Sequence, residues 1–145
     1  MLLSSLHLAN TIVTLDALGC QQAIARQLLA QQADYVLALK GNQGRYHRAV
    51  KAYCHACCVD RWQEYPAYYD AFDRRHSRWV RRRAWVLPVS EHLAGLRAWP
   101  GLRAIIVVET IRSVQYQPGT RAEWCYYLTS CSDTPAVLIQ AIRRH

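Results

Sequence analysis

Two short apolar runs on either side of a helical pattern constrain the fold of this chain more than any other feature. Residues 11–15 (TIVTL) have the length and composition of a strand buried on both faces, and residues 35–39 (YVLAL) predict a second apolar strand. Between them, residues 21–32 repeat apolar side chains such as Ala25 and Leu28 along one helical stripe. A strand, a helix and a strand within roughly 30 residues predict a βαβ unit with parallel strands and a right-handed crossover.

The next part of the sequence predicts one more helix and then a β-rich segment. Residues 44–58 place apolar or aromatic side chains three or four positions apart, which is typical of a helix. Every second residue from 79 to 85 is tryptophan or arginine (Trp79, Arg81, Arg83, Trp85), as in an exposed antiparallel strand. Residues 102–114 and 123–130 read as the two strands of a hairpin, joined by a turn at residues 117–120 (QPGT).

The chain closes on a further helical pattern, with Asp133 as the expected N-cap and Pro135 in the first turn. The side chains expected on its buried face are Val137, Leu138, Ala141 and Ile142. We therefore divide the sequence into a βαβ-type core (1–60), a β-rich, basic segment (61–131) and a helix that we expect to be truncated (132–145).

The charge balance narrows the class of partner. Eighteen Lys and Arg stand against ten Asp and Glu, a formal net charge of +8. Such a surplus favours a polyanion, either nucleic acid or an anionic membrane, although a basic surface can also serve solubility alone. No apolar run approaches the roughly 18–20 residues that span a bilayer, and residues 1–8 do not resemble a signal peptide. We expect a cytoplasmic protein whose six cysteines are reduced thiols.

A dense arginine cluster interleaved with Trp79 and Trp85 is the first candidate site. Guanidinium groups suit phosphate contacts, and aromatic rings beside them can stack on bases. The alternative is a solvated strand face whose arginines cover tryptophan. The cluster comprises Arg74, Arg75, Arg78, Arg81, Arg82 and Arg83.

Asp16 is the second candidate, because it directly follows the first predicted strand. Open α/β sheets bind ligands at the carboxyl ends of their strands. A carboxylate there is a hard oxygen ligand for Mg²⁺, although it can also simply cap the following helix. Two-metal phosphoryl transfer needs more oxygen ligands than this single carboxylate supplies.

Cys54 and Cys57 have the spacing of half a zinc site, with His76 as the nearest further candidate ligand. Structural zinc normally needs a second pair of ligands. On a helix, cysteines at this spacing also pack as small apolar side chains. The spacing of Cys54 and Cys57 is thus compatible both with part of a zinc site and with packing on a helix.

Five motifs, taken together, resemble the transposases of ISAs-type insertion sequences, also called H-repeat-associated proteins. They occur in that family's order and at about its spacing. They are residues 15–21 (LDALGCQ), 37–43 (LALKGNQ), 99–102 (WPGL), 126–130 (YYLTS) and 141–145 (AIRRH).

The resemblance implies an RNase H-like catalytic core, here in part, within the α/β class. It also implies an enzyme with a DDE triad that uses Mg²⁺ or Mn²⁺ to cut and join DNA ends. Asp16 matches the second aspartate of that triad and is the implied catalytic and metal-binding residue. Lys40 and Asn42, in the second motif, join the arginine cluster as predicted DNA-binding residues. The implied partners are DNA and intact transposase subunits.

The sequence also departs from the family. It contains neither the Asp-Gly-Lys motif of the first aspartate nor the Trp-x-Ile-Glu-Asn motif of the glutamate. Where the family has His-Gly-Arg-x-Glu-x-Arg, residues 76–82 carry Ser77 and Val80 in place of the glycine and the glutamate. We therefore expect a truncated DDE transposase that is inactive alone. The alternative is a non-catalytic, basic DNA-binding remnant or an inhibitor of transposition.

Overall fold

A computed structural model shows a mixed α/β fold and describes residues 8–16, 22–40, 44–58, 68–89, 91–96, 99–113 and 119–143. The strands are β1 (Ile12–Leu15), β2 (Asp34–Leu39), β3 (Tyr68–Arg75), β4 (Arg78–Pro88), β5 (Ala104–Ser113) and β6 (Thr120–Thr129). The α-helices are α1 (Gln22–Ala30), α2 (Gly44–Cys58) and α3 (Pro135–Arg143), and a 3₁₀ helix spans Glu91–Leu96. Within these ranges, no helix combines the length and the hydropathy that crossing a membrane requires.

The strands form one sheet in the order β1-β2-β6-β5-β4-β3. β1 and β2 pair in parallel, with α1 between them in the chain, which confirms the predicted βαβ unit. Every other neighbouring pair is antiparallel. The predicted hairpin is confirmed as β5 and β6, in a register that sets Val108 opposite Cys125.

The prediction that β1 is buried on both faces is wrong, whereas β2, predicted as a second apolar strand, is the buried one. In β2 every residue after Asp34 is buried, because the strand lies between β1 and β6. All four residues of β1 are half-buried. Among the described strands β1 has a neighbour on one side alone, so its apolar run does not reach the interior.

The side chains on the two faces of the sheet form two cores. On one face, here the α1/α2 face, Leu28 of α1 and Val50 of α2 pack with Trp85 of the sheet. On the other, the α3 face, Leu138 of α3 packs with Ile106. Because side chains alternate along a strand, each strand contributes to both cores. The result is a three-layer arrangement with the sheet in the middle.

Two expectations for α3 are wrong in detail. The helix begins at Pro135, so Thr134, whose carbonyl accepts a hydrogen bond from Leu138 N, holds the N-cap position instead of Asp133. The buried face is centred on Leu138 and Ile139, while Val137 is 42% exposed. At 100° per residue, Val137 points well away from a stripe centred between Leu138 and Ile139.

The WPGL motif forms a tight turn between the 3₁₀ helix and β5. The Tyr35 hydroxyl of β2 donates a hydrogen bond to the Pro100 carbonyl at 2.5 Å. Gly101 has φ +62°, and a Cβ there would lie 2.6 Å from Leu29 Cδ1 of α1. The turn therefore needs glycine for its conformation, and any added Cβ would also displace the end of the Leu29 side chain.

Candidate nucleic-acid interface

Asp16 and Lys40 directly follow the adjacent parallel strands β1 and β2, and both are exposed. Continuing the alternation of each strand puts them on the α3 face, with Thr14 and Ala38. Burial raises the pKa of Cys125, which lies on that face of β6, and the charge of Lys40 acts against that rise. The strand-end placement expected for Asp16 is thus present. Asn42 and the residues that Asp16 would cap as a helix lie outside the described residues.

The arginine cluster is divided between the two faces of the sheet by the alternation of β3 and β4. Arg81 and Arg83 lie on the α1/α2 face, and each is paired with a carboxylate. Arg81 donates from Nε and Nη2 to the two oxygens of Asp70, at 3.0 and 2.6 Å. Arg83 Nε and Nη2 lie 2.6 and 2.5 Å from Oε1 of Glu109. These guanidinium groups are engaged within the fold.

The pair of Arg83 and Glu109 is part of the interior. The Glu109 side chain is 8% exposed, and the Arg83 guanidinium lies 5.5 Å from the ring centroid of Trp85. Trp85 in turn stacks on Trp124, with ring centroids 6.0 Å apart. For Arg83 the structure therefore favours the reading in which arginine covers tryptophan.

Arg74, opposite Trp79, is exposed on the α1/α2 face, and the remaining arginines of the cluster lie on the opposite face. Strand register sets Arg75 opposite Arg78 and Arg112 opposite Arg121. Within the part of the chain that the structure describes, none of these four is within salt-bridge distance of a carboxylate. We call the following set on the α3 face the basic face: Arg75, Arg78, Arg82, Arg112 and Arg121.

Sequence reasoning missed Arg112 and Arg121, because they stand outside the dense cluster along the chain. The signal that could have found them is the parity of the predicted hairpin. A hairpin centred on the turn at residues 117–120 sets even-numbered positions of one strand against odd-numbered positions of the other, which puts residues 112 and 121 on the same face. The observed register sets them directly opposite each other. They then lie on the same face as Arg78 and Arg82 of β4.

The basic face has the electrostatics of an anion site. Like charges directly opposite on adjacent strands destabilise a sheet unless a counter-charge compensates them. A cavity of about 560 Å³ opens beside the second pair, lined by Thr110, Arg112, Ser113, Arg121, Ala122 and Glu123. A guanidinium presents a planar fork of donors that matches phosphate oxygens. The arrangement can hold a phosphate backbone without reading bases.

The region between Lys40 and the basic face contains a phenol and a thiol that stay protonated at neutral pH, beside the carboxylate of Glu123. Burial, followed by the neighbouring Cys125, raises the pKa of Tyr127 to about 12. Burial, followed by the charge of Glu123, raises the pKa of the Cys125 thiol. At neutral pH the phenol and the thiol therefore carry no negative charge that would repel a phosphate. A cavity of about 200 Å³ here is lined in part by Lys40, His47 and Tyr127.

The carboxylate of Asp16 is of the type that Mg²⁺ prefers. Within the described ranges, no group of three or more His, Cys, Asp or Glu side chains is placed to hold a metal ion. Cys54 is 1% exposed and packs in the α1/α2 core, which favours the packing reading over a zinc site. The Cys57 side chain lies outside the described residues.

The fold and this surface define an α/β domain with a basic sheet face beside a strand-end carboxylate. No family model matches the chain. It is 37% identical over 132 residues to an uncharacterised protein in the dhlA 3′ region of Xanthobacter autotrophicus, covering 91% of this chain and 43% of that protein. It is 31% identical over 147 residues to the "H repeat-associated putative transposase YhhI" of Escherichia coli K12, covering 99% of this chain and 38% of that protein.

A third relative, the "Putative transposase YncI" of E. coli K12, is 50% identical over 50 residues, which are 34% of this chain and 20% of the relative. The chain spans about two fifths of the length of the curated relatives that it matches from end to end. It is a homologue of the H repeat-associated transposases, the family that its motifs indicated.

Proposed function

We propose that this chain is part of the catalytic domain of a DDE-type transposase and that it binds DNA through the basic face. Asp16 is then one of the carboxylates that hold Mg²⁺ or Mn²⁺. One relationship carries the proposal: Asp16 and Lys40 directly follow adjacent strands of the sheet that bears the basic face, and continued alternation along those strands assigns them to the same face. The homology to proteins named as transposases supports the class of substrate.

In this proposal the arginines position DNA and Asp16 serves the chemistry. Each guanidinium can donate two hydrogen bonds to one phosphate, which fixes the path of the backbone without sequence preference. A bound divalent ion would polarise the scissile phosphate and lower the barrier to nucleophilic attack. A single carboxylate does not complete a two-metal site, so we propose that residues 1–145 alone bind DNA and do not cut it.

For the fold, the finer proposal is an RNase H-like core in which β1 and β2 are adjacent parallel strands and α3 covers the opposite face from α1. We propose the division stated from sequence, with residues 1–60 as core, 61–131 as a basic β-rich segment and 132–145 as the closing helix. The half-buried β1 strand supports this reading, because none of the other described strands pairs with its outer edge.

Metal binding by Asp16 can be tested on the complex of the chain with duplex DNA, by titrating Mn²⁺ and counting bound ions by electron paramagnetic resonance. We expect the Asp16→Asn complex to bind fewer ions than the wild type. Asp133→Asn is the matched control, because Asp133 is an exposed carboxylate near the other end of the sheet. Equal Mn²⁺ binding by all three complexes would remove Asp16 from the metal site.

The inactivity of the chain alone has its own test. Incubated with element-end DNA in Mg²⁺ or Mn²⁺, the purified chain should retain the DNA and leave it uncut and unjoined. Cleavage or joining that disappears in Asp16→Asn would show that residues 1–145 contain a complete active site, against the proposal.

A second candidate function is a DNA-binding inhibitor of transposition, and the basic face favours it because phosphate contacts need no metal. The two candidates differ in their dependence on Asp16. If the chain acts as an inhibitor, adding it to a reaction with an intact H repeat-associated transposase lowers strand transfer, and Asp16→Asn inhibits equally. If inhibition requires Asp16, the chain instead replaces a subunit of the intact transposase in its catalytic assembly.

A further inference from the structure

An exposed aromatic pair lies on the α1/α2 face of the β3–β4 hairpin, near its turn. Phe72 of β3 is 62% exposed, more than any other large apolar side chain in the described residues. Its ring stacks on that of Trp79 in β4, with centroids 5.6 Å apart and planes 24° apart. One side of the Phe72 ring is thus covered, and much of the side chain remains open to solvent.

The pair is held in place by contacts that do not cover it. Trp79 N donates a hydrogen bond to Ser113 Oγ of β5 at 3.0 Å. Arg81, directly opposite Phe72, forms its two hydrogen bonds with Asp70 on the same face. The first contact holds β4 against β5, and the second holds β4 against β3, next to the aromatic pair. The aromatic surface is therefore organised without a partner.

The charges around the pair identify the chemistry of a partner. Arg74 lies directly opposite Trp79 and is exposed. Arg75 and Arg78 belong to the basic face on the other side of the same hairpin. Asp70, the carboxylate on the aromatic side, is engaged by Arg81. An open ring flanked by arginines complements a flat, apolar group that is linked to phosphates.

We propose that Phe72 and Trp79 form a binding site for an unpaired base of a DNA strand whose backbone crosses the hairpin to the basic face. This inference rests on the proposed function, since it names the form of DNA that the same region binds. Every base presents a flat π-surface, so stacking on Phe72 does not require a particular sequence. A base inside a duplex is stacked on both sides already, which leaves unpaired bases as the occupant.

The test compares two labelled DNAs that share one duplex, of which one carries a three-nucleotide thymidine overhang. Affinities are measured by fluorescence anisotropy with the full chain. We expect the overhang DNA to bind about 10-fold tighter than the duplex, because this is the gain in affinity that stacking of a single base provides. Phe72→Ala and Phe72→Leu should each lower the affinity for overhang DNA to that for the duplex, because both remove the ring. Phe72→Tyr, which keeps the ring, should retain the preference.

Val137→Ala is the matched control, because Val137 is the other exposed large apolar side chain in the described residues and lies on α3. It should leave both affinities unchanged. Thermal unfolding followed by circular dichroism should differ little between the Phe72 variants and the wild type, since the side chain is mostly exposed and its packing within the fold is the stack on Trp79.

The outcomes separate this inference from the proposed function. Equal binding of the two DNAs by the wild type overturns the stacking site and leaves duplex binding intact. A preference that survives both Phe72→Ala and Phe72→Leu also overturns it. Failure to bind either DNA rejects the proposed function itself. A wild-type dimer that Phe72→Ala converts to a monomer in sedimentation velocity would assign the pair to a contact between copies of the chain, against the inference.

Discussion

Arg112 of β5 and Arg121 of β6 stand directly opposite each other on the α3 face of the sheet. Both side chains are exposed, and within the described residues neither reaches a carboxylate. A like-charge pair in this position costs stability of about 0.2–1 kcal/mol. An anion that contacts both guanidinium groups would remove this repulsion and stabilise the sheet.

The first prediction concerns the salt dependence of DNA binding. Each phosphate contact contributes about 0.9 to the slope of log affinity against log salt for duplex DNA. The double variant Arg112→Ala/Arg121→Ala should therefore reduce the steepness of that slope by about 2 and lower the affinity at low salt. Fluorescence anisotropy with one duplex across a series of salt concentrations measures it.

Arg103→Ala is the control for this prediction, because Arg103 is an exposed arginine that precedes β5, at the other end of the sheet from Arg112. It should change the slope by much less. An unchanged slope in the double variant would show that phosphates do not contact this pair.

The second prediction separates two arginines of the same strand. Arg83→Ala leaves the carboxylate of Glu109 buried without its partner, and removal of one member of a buried ion pair costs about 3 kcal/mol. Arg78→Ala removes an exposed arginine from β4 and should change the free energy of unfolding by no more than about 0.5 kcal/mol. Urea unfolding of both variants gives the comparison. Equal effects would mean that the buried pair contributes no more than a surface charge.

The third prediction is a loss of stability at alkaline pH that depends on Tyr127. The fold raises the pKa of this phenol from its ordinary value of 10.0 to about 12. Between these values the unfolded chain gives up the phenol proton before the folded chain does. Stability therefore falls as pH rises from 10 towards 12. The raised pKa of Cys125 acts with the same sign from the ordinary thiol value of 9.0 upward.

Denaturant unfolding at a series of pH values tests this dependence. Tyr127→Phe removes the titrating group and should lose less stability than the wild type between pH 10 and 12. Parallel curves for the two proteins would show that the Tyr127 phenol titrates alike in the folded and unfolded states.

The fourth prediction concerns the WPGL turn. Gly101→Ala places a methyl group 2.6 Å from Leu29 Cδ1 at a residue with φ +62°, so both strain and overlap oppose it. We expect a loss of about 2 kcal/mol in the free energy of unfolding. Gly44→Ala is the control, because nothing lies within 4 Å of the added methyl group. A Gly101→Ala protein as stable as the control would mean that α1 and the turn can move apart.

Local patterns were enough to predict most of the elements. Each of three elements follows from a short continuous stretch of sequence: the apolar run of β2, the apolar stripe of α1 and the hairpin of β5 and β6. The strand-end position of Asp16 followed from the same reading, because a carboxylate after a strand is visible in the chain itself. The family was recognisable because five short motifs recur in a fixed order.

By itself, then, the sequence determined the class of fold, the hairpin, the basic character and the family. The tertiary structure decided which arginines are engaged and which are available, since pairing of β4 with β5 brings Glu109 beside Arg83. It also decided that Arg112 and Arg121 meet and that β1 is half-buried. The physical reason is that ion pairing and burial depend on neighbouring residues across the sheet. Strand register determines those neighbours, and a short stretch of sequence does not contain it.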